Sequence, residues 1–246
     1  GFTNLELLTV LGDDLKGRTI IEFCDKLGII TDNIYVCNDT ETDSYLAIED
    51  IQGLKAAIAH IFNVEEFGDR ILGPLENGAV KTSSNPSHNL IVLDGNLSTS
   101  SLSKIAENKK FKNYDIRIAS ASSSKAFRLK PFLSLPNATV YCNMAEAENL
   151  CNLSFKDTRQ ASAYLLKQGL GRAIVTNGGK QICASSVYHE PITILPPKVK
   201  NIKHITGAGD YFLACHIANE INQIPKETSL LKAAESASKY VETEIK

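Results

Sequence analysis

The run Ile205-Thr206-Gly207-Ala208-Gly209-Asp210, followed by an apolar helical pattern from Tyr211 to Asn222, groups the residues best suited to chemistry in this chain. Two glycines around an alanine let backbone approach an anion closely and aim successive N–H groups one way. At a helix start, those groups and the positive end of the helix dipole form a cradle for developing phosphate charge. Asp210, in the first turn, is placed to accept a hydroxyl proton beside that cradle. The same letters also spell a plain glycine turn with an acidic residue stabilising a helix N-terminus, so context must decide. Upstream, Asn143-Met144-Ala145-Glu146 closes a strand-like run and opens a helical one. A carboxamide and a carboxylate three residues apart share a helical face and can order a hydrated Mg²⁺ through water. Their other common use is as a helix cap.

The Thr206–Asp210 run with its apolar helix resembles the C-terminal signature of the ribokinase (PfkB) family of sugar and nucleoside kinases. The resemblance implies that Asp210 is the general base and that the amides of Gly207, Ala208 and Gly209 hold the transferring phosphoryl group. Asn143 and Glu146 match the family's N-x-x-E motif, which implies a role beside Mg²⁺. Ile174-Val175-Thr176-Asn177-Gly178-Gly179-Lys180 is similar to the family's strand and glycine turn beside the nucleotide; its bland alternative is a hairpin turn before Gln181–Ser185. ATP contacts are thereby implied for Thr176, Gly178, Gly179 and Thr206, with adenine toward the helix that carries Ala233 and Ser236. The implied cofactors are ATP and Mg²⁺, with a monovalent cation such as K⁺ beside them.

Within the family the resemblance is closest to the pseudouridine kinase branch and runs over nearly the whole chain. Leu11-Gly12-Asp13-Asp14 with Gly17 resembles V-G-x-D-x-x-G, and Thr42-Asp43-Ser44-Tyr45-Leu46-Ala47-Ile48 resembles the S-Y-L-x-x-L strand. Leu93-Asp94-Gly95-Asn96-Leu97-Ser98 resembles the D-x-N-I/L-S element. Acceptor contacts are implied for Ser44, Tyr45, Asp94 and Asn96, with phosphorylation of a nucleoside ribose 5′-hydroxyl. Ribose or fructose is the alternative acceptor, and a non-catalytic binding or regulatory relative is the alternative of another class. The chain departs from the pattern at Ala119-Ser120, where the family has Asp-Pro, and at Ala59-His60, where this branch has Asn-Asp. His204 stands two places before Thr206, where an aspartate is usual. The family's N-terminal strand, G-G sugar turn and R-N-x-A helix are missing and are expected upstream of Gly1. The sole methionine is Met144, so Gly1 is not read as a native start.

These residues need a scaffold, and strand-like runs alternating with helical ones supply the pattern of a parallel α/β sheet. Leu5–Leu11, Leu90–Leu93, Ile116–Ala119, Thr139–Tyr141 and Ala173–Val175 are expected strands; Leu15–Leu27, Ser101–Glu107 and Thr158–Gln168 are expected helices. Ile34–Val36, Tyr45–Ile48 and Leu54–Ile61 have no helix between them and read as an antiparallel flap over a substrate site or, equally, as an ordinary edge hairpin. The expected architecture is a three-layer α/β/α domain with a mostly parallel central sheet (residues 1–33 and 62–246) and a small β flap (residues 34–61). The resemblance implies a homodimer through that flap. Thr82–His88 and Ser120–Ser124 read as polar loops.

Composition narrows the partners. The 246 residues are 43% hydrophobic and 22% charged with a net charge of −2, which gives no electrostatic reason to expect nucleic acid or a membrane surface. The six cysteines form no C-x-x-C pair and the five histidines no metal-binding spacing. No apolar run approaches bilayer-spanning length, and the cytoplasm is the expected location.

Overall fold

The computed structural model describes residues 5–50, 53–80 and 89–244; the loop expected at Thr82–His88 lies outside them. The N-terminal unit is a short crossover. Strand β1 (Val10–Gly12) runs into helix α1 (Leu15–Lys26) and returns as β2 (Tyr35–Cys37), which pairs with β1 in parallel. Asp14 caps α1 by accepting from the Gly17 amide at 2.7 Å, and it also takes the Thr42 hydroxyl at 2.7 Å. These donors hold its carboxyl down at about 2. Gly12 is required here because an added Cβ would stand 2.4 Å from the Thr40 carbonyl.

Two expectations change in this unit. The strand at Leu5–Leu11 shortens to β1, with Glu6 joined to Ile30 by an isolated bridge. Residues Ile34–Val36 do not join an antiparallel flap. Tyr35 and its neighbours pair with β1, which buries Val10 and Cys37 in the core. What remains of the flap is the hairpin of β3 (Ser44–Asp50) and β4 (Gly53–His60), antiparallel and paired with no other described strand. Asp43 clamps its root, its carboxylate accepting from the amides of Phe62, Asn63 and Val64. Helices α2 (Asn63–Glu66) and α3 (Gly68–Asn77) follow.

Four strands of the main sheet are as expected from the apolar runs. The sheet contains β5 (Leu90–Asp94), β6 (Asp115–Ala119), β7 (Ala138–Asn143), β8 (Arg172–Thr176), β9 (Ile182–Ser186) and β10 (His189–Ile194), in the order β10-β9-β8-β7-β6-β5. The first four are mutually parallel, and β9 and β10 extend the sheet as an antiparallel meander. Between strands lie α4 (Thr99–Glu107), a 3₁₀ stretch at Ser123–Phe132, α5 (Met144–Cys151) and α6 (Thr158–Lys167); α7 (Ala208–Ile221) and α8 (Lys226–Glu242) close the chain.

Period-two alternation divides the strand side chains between two cores. Ile116, Ile118, Val140, Cys142, Ala173 and Val175 face α3 to α6 and the 3₁₀ stretch. Tyr141 and Ile174 face Phe212, Leu213 and Ile217 of α7 and Leu230, Ala233 and Ala234 of α8. The result is three layers, α/β/α. All six cysteines are free thiols. No described helix is long and apolar enough to cross a membrane.

Candidate active site

The parallel strands end in register, and their last residues define one edge of the sheet. Asp94 of β5 lies opposite Ala119 of β6, and Asn143 of β7 opposite Thr176 of β8. In open α/β sheets ligands bind outside these carboxyl ends. Three of the four residues are among those singled out from sequence. The fourth, Ala119, occupies the place of the family's aspartate and brings no charge.

Helix α7 begins at the same edge. Its N-cap is Gly207, at φ +86°, with no side chain to cap the first amides. An added Cβ there would meet the Tyr240 hydroxyl oxygen at 2.6 Å, so both conformation and space call for glycine. Tyr240 donates to the Thr206 carbonyl at 3.3 Å and stacks on Tyr211 with ring centroids 4.9 Å apart. His204 packs edge-on against Tyr240 at 4.5 Å, and both of its ring nitrogens are buried without a hydrogen-bond partner. One expectation narrows: the Ala208 amide closes a turn onto the Ile205 carbonyl at 3.1 Å, so it is engaged within the loop.

Three carboxylates feel one another here. Burial, and then the negative charge of Asp94, raise Asp210 above the usual aspartate value. Burial raises Glu146 above the usual glutamate value against the hydrogen bonds from Asn143, with a smaller contribution from the charge of Asp210. Asn143 and Glu146 form a reciprocal capping box. The Asn143 side chain accepts from the Glu146 amide at 3.0 Å, and Glu146 accepts from the Asn143 amide at 2.8 Å. The two residues expected beside Mg²⁺ are therefore also the cap of α5. Among the described residues no three His, Cys, Asp or Glu side chains are grouped to enclose a metal directly.

Thr176 ends β8, and the Asn177–Lys180 turn leads into the antiparallel β9, so the local form is the hairpin. Gly178 sits at φ +53°, and a Cβ added to Gly178 or Gly179 would meet nothing within 4 Å. This backbone is open to close approach by a ligand. Of the two residues expected on α8, Ala233 is enclosed in the core at 0% exposure, because it lies on the helix face turned to the sheet. Ser236, one turn further along, is only partly buried and lines a pocket of about 270 Å³ with His204, Tyr211, Lys239 and Tyr240. Ala233 is thus removed from the expected ligand contacts.

Asp94 and Asn96 are hydrogen-bonded to each other. The Asp94 carboxylate accepts from the Asn96 amide at 2.9 Å and from its side-chain nitrogen at 3.0 Å. Asn96 in turn receives Lys125 on its side-chain oxygen and Arg128 on its carbonyl, both at 2.9 Å. Sequence reading missed both cations, since neither belongs to a recognisable spacing. Ser44 and Tyr45 lie on β3 opposite His60 and Ala59, and Tyr45 is half exposed. No hydrogen bond joins either to Asp94, Asn96 or Asp210.

This fold and edge site define a class, and a family model agrees with it. The model for pfkB family carbohydrate kinases matches residues 3–244, so the chain belongs to that family. It is 24% identical over 211 residues to the pseudouridine kinase of Escherichia coli, a match covering 85% of this chain and 64% of the relative. It is 26% identical over 234 residues to the bifunctional protein HldE of Aliarcobacter butzleri, covering 89% of this chain and 46% of that protein. The chain therefore spans less than two thirds of these relatives' length. Similar solved structures include a putative sugar kinase from Clostridium perfringens (TM-score 0.77, 24% identity, 98% of this chain and 74% of that one). Others are adenosine kinase from Schistosoma mansoni (TM-score 0.80, 18% identity, 97% and 74%) and ribokinase from Arabidopsis thaliana (TM-score 0.75, 19% identity, 98% and 77%). The fold is ribokinase-like.

Proposed function

We propose that this protein is an ATP-dependent kinase that phosphorylates a hydroxyl of a sugar or nucleoside, with pseudouridine as the favoured acceptor and its 5′-hydroxyl as the attacking group. The observation that carries the reading is Asp210 in the first turn of α7, beside an uncapped glycine turn and within electrostatic reach of Asp94 and Glu146. The pseudouridine preference is supported by the sequence resemblance and by the Escherichia coli relative. In this reading Asp210 takes the hydroxyl proton as the acceptor oxygen attacks in line. The Gly207 and Gly209 amides receive the transferring phosphoryl group, and its charge falls on the positive end of α7. Thr176, Gly178, Gly179 and Thr206 line the path of the ATP phosphates and ribose, with adenine toward Ser236. Asp94 and Asn96 hold the acceptor, and the hairpin carrying Ser44 and Tyr45 covers it. The flap unit is the hairpin of β3 (Ser44–Asp50) and β4 (Gly53–His60), on the body formed by the rest of the chain. Six free thiols suit a reducing compartment such as the cytoplasm.

Mg²⁺ fits this site. Asp210 lies in the field of Asp94 and adds to the field on Glu146, an arrangement that favours a cation, and bound Mg²⁺ would neutralise phosphate charge. Glu146 keeps one oxygen outside its cap and would hold a water of the ion; Asn143 orients Glu146. Glu146→Gln is expected to raise the Mg²⁺ concentration needed for half-maximal rate while acceptor KM changes little. Superimposable Mg²⁺ titrations of the two proteins would remove Glu146 from this role. K⁺ fits less well: it needs several oxygen donors around one point, whereas the loop before Gly207 packs the His204 and Tyr240 rings together. No step is assigned to it.

The direct test is to incubate the full-length protein with ATP, Mg²⁺ and pseudouridine, uridine, ribose or fructose, and to follow product mass. Phosphorylation of none of them would sink the kinase reading; preference for a hexose would sink the pseudouridine one. Hairpin residues Leu46, Ile48 and Ile58 share a face by register and are each more than half exposed. We assign them to a homodimer contact, and light scattering at micromolar concentration should give twice the chain mass; a monomer would refute it.

A further inference from the structure

Lys125 stands between two elements that the sequence keeps far apart. Its ammonium donates to the Asn96 side-chain oxygen at 2.9 Å and to Glu65 at 2.9 Å, across sequence separations of 29 and 60 residues. Arg128 closes the same cluster, 3.1 Å from Glu65 and donating to the Asn96 carbonyl. The cluster is sheltered, with the Lys125 and Arg128 side chains 22% and 14% exposed. Burial alone would raise the Glu65 carboxyl, but hydrogen bonds from Arg128 and Lys125 outweigh it and hold it below the usual value.

Each end of the cluster has a mechanical meaning. Asn96 locks the Asp94 carboxylate through two hydrogen bonds, so whatever fixes Asn96 fixes Asp94. Glu65 lies one residue beyond Val64, the last of the three amides clamped by Asp43 where the β3–β4 hairpin leaves the body. The cations therefore tie the root of the hairpin to the loop after β5. A bifurcated ammonium is well suited to this, since Lys offers three donors and two are used here.

We propose that Lys125 and Glu65 are positioning residues for the acceptor, setting Asn96 and Asp94 relative to the hairpin that covers the acceptor site. The inference rests on the kinase reading above and adds the residues that determine acceptor affinity. Neither side chain is placed at the reacting atoms or the nucleotide. Their loss removes binding that is equal in ground and transition states, so it acts on acceptor KM and spares kcat.

The test is steady-state kinetics of the full-length protein with pseudouridine and ATP varied separately. Lys125→Met is expected to raise acceptor KM about tenfold, the usual worth of one charged hydrogen bond, with kcat and ATP KM within about twofold. Glu65→Gln should move KM the same way and by less, and Lys125→Arg should recover most of the loss. A purely structural salt bridge would instead lower the melting temperature of Lys125→Met and leave acceptor KM unchanged, which overturns the proposal. So would equal rises in the KM of acceptor and ATP. Wild-type protein that phosphorylates no acceptor defeats the kinase reading itself, and the inference with it; active wild type with an unchanged Lys125→Met KM defeats the inference alone.

Discussion

Asp210→Asn is expected to cut turnover about 10²–10⁴-fold while leaving the fold and ATP affinity nearly intact. Asn preserves the size of the side chain at the third residue of α7 but cannot take a hydroxyl proton. It also removes one negative charge beside the phosphates, so nucleotide affinity should hold or rise slightly. If Asp210 served only to complement the helix dipole, its replacement would cost about 0.3–1 kcal/mol of stability and spare the rate. Turnover and melting temperature measured on the same variant separate the two roles. The pH profile adds a signature. Burial and the Asp94 charge raise the Asp210 carboxyl, so the wild-type rate should fall, as pH drops, at a higher pH than an ordinary aspartate would give. The base must be ionised to act, which fixes the sign. That limb should be absent from the residual rate of the Asn variant.

The second large effect concerns stability, at the end of α7 remote from Asp210. Arg117 alternates on β6 with Ile116 and Ile118, so its side chain enters the opposite core, where it is 4% exposed. It donates to both oxygens of Asp115 at 2.7 and 2.6 Å, to the Tyr141 hydroxyl at 3.0 Å, and to Glu220. Arg172 also donates to Glu220, and the Tyr141 hydroxyl pairs with His216 Nδ1 at 2.9 Å. Burial would raise the Glu220 carboxyl, but Arg172 and Arg117 outweigh it and hold it at about 2. Burial, reinforced by the same two arginines, pulls His216 down to about 4 against the attraction of Glu220.

Glu220→Ala removes the anion that both guanidiniums share and leaves Arg117 without its α7 partner. The expected loss is about 3–5 kcal/mol, measured by denaturant titration. A loss below about 1 kcal/mol would show that the network is solvated in solution. The pH dependence has a definite sign. An unfolded His216 binds protons below about 6.5, while the folded one resists them to about 4, so stability falls as pH drops through that window. Glu220 adds a second loss as pH falls from 4.5 toward 2, because the unfolded carboxyl protonates first. The Ala variant should lack this lower window.

The main sheet was legible because β5 to β8 lie between two helical layers and read as short apolar runs, with helices between them marked by caps and end glycines. The glycine turn at the start of α7 was legible for the same local reason: Gly207 to Asp210 are contiguous, and the apolar residues that follow announce the helix start. Asn143 and Glu146 were legible as a pair three residues apart, which the structure shows as the capping box of α5.

Other features depended on residues distant in sequence. The run at Tyr35 looked like flap because β residues with short turns on either side favour hairpins, yet burial of Cys37 and Val10 favoured pairing with β1. Ala233 and Ser236 sit three residues apart on α8, and only the docking of that helix put one into the core and the other into a pocket. Lys125, Glu65 and Arg128 carry no local signal at all. An ion pair between residues 60 apart exists only when the sheet brings their elements together, and nothing in the neighbourhood of either residue encodes it. Arg117 and Glu220, 103 residues apart, show the same rule in the core. Local periodicity decides which face a side chain takes, and packing decides what it meets there.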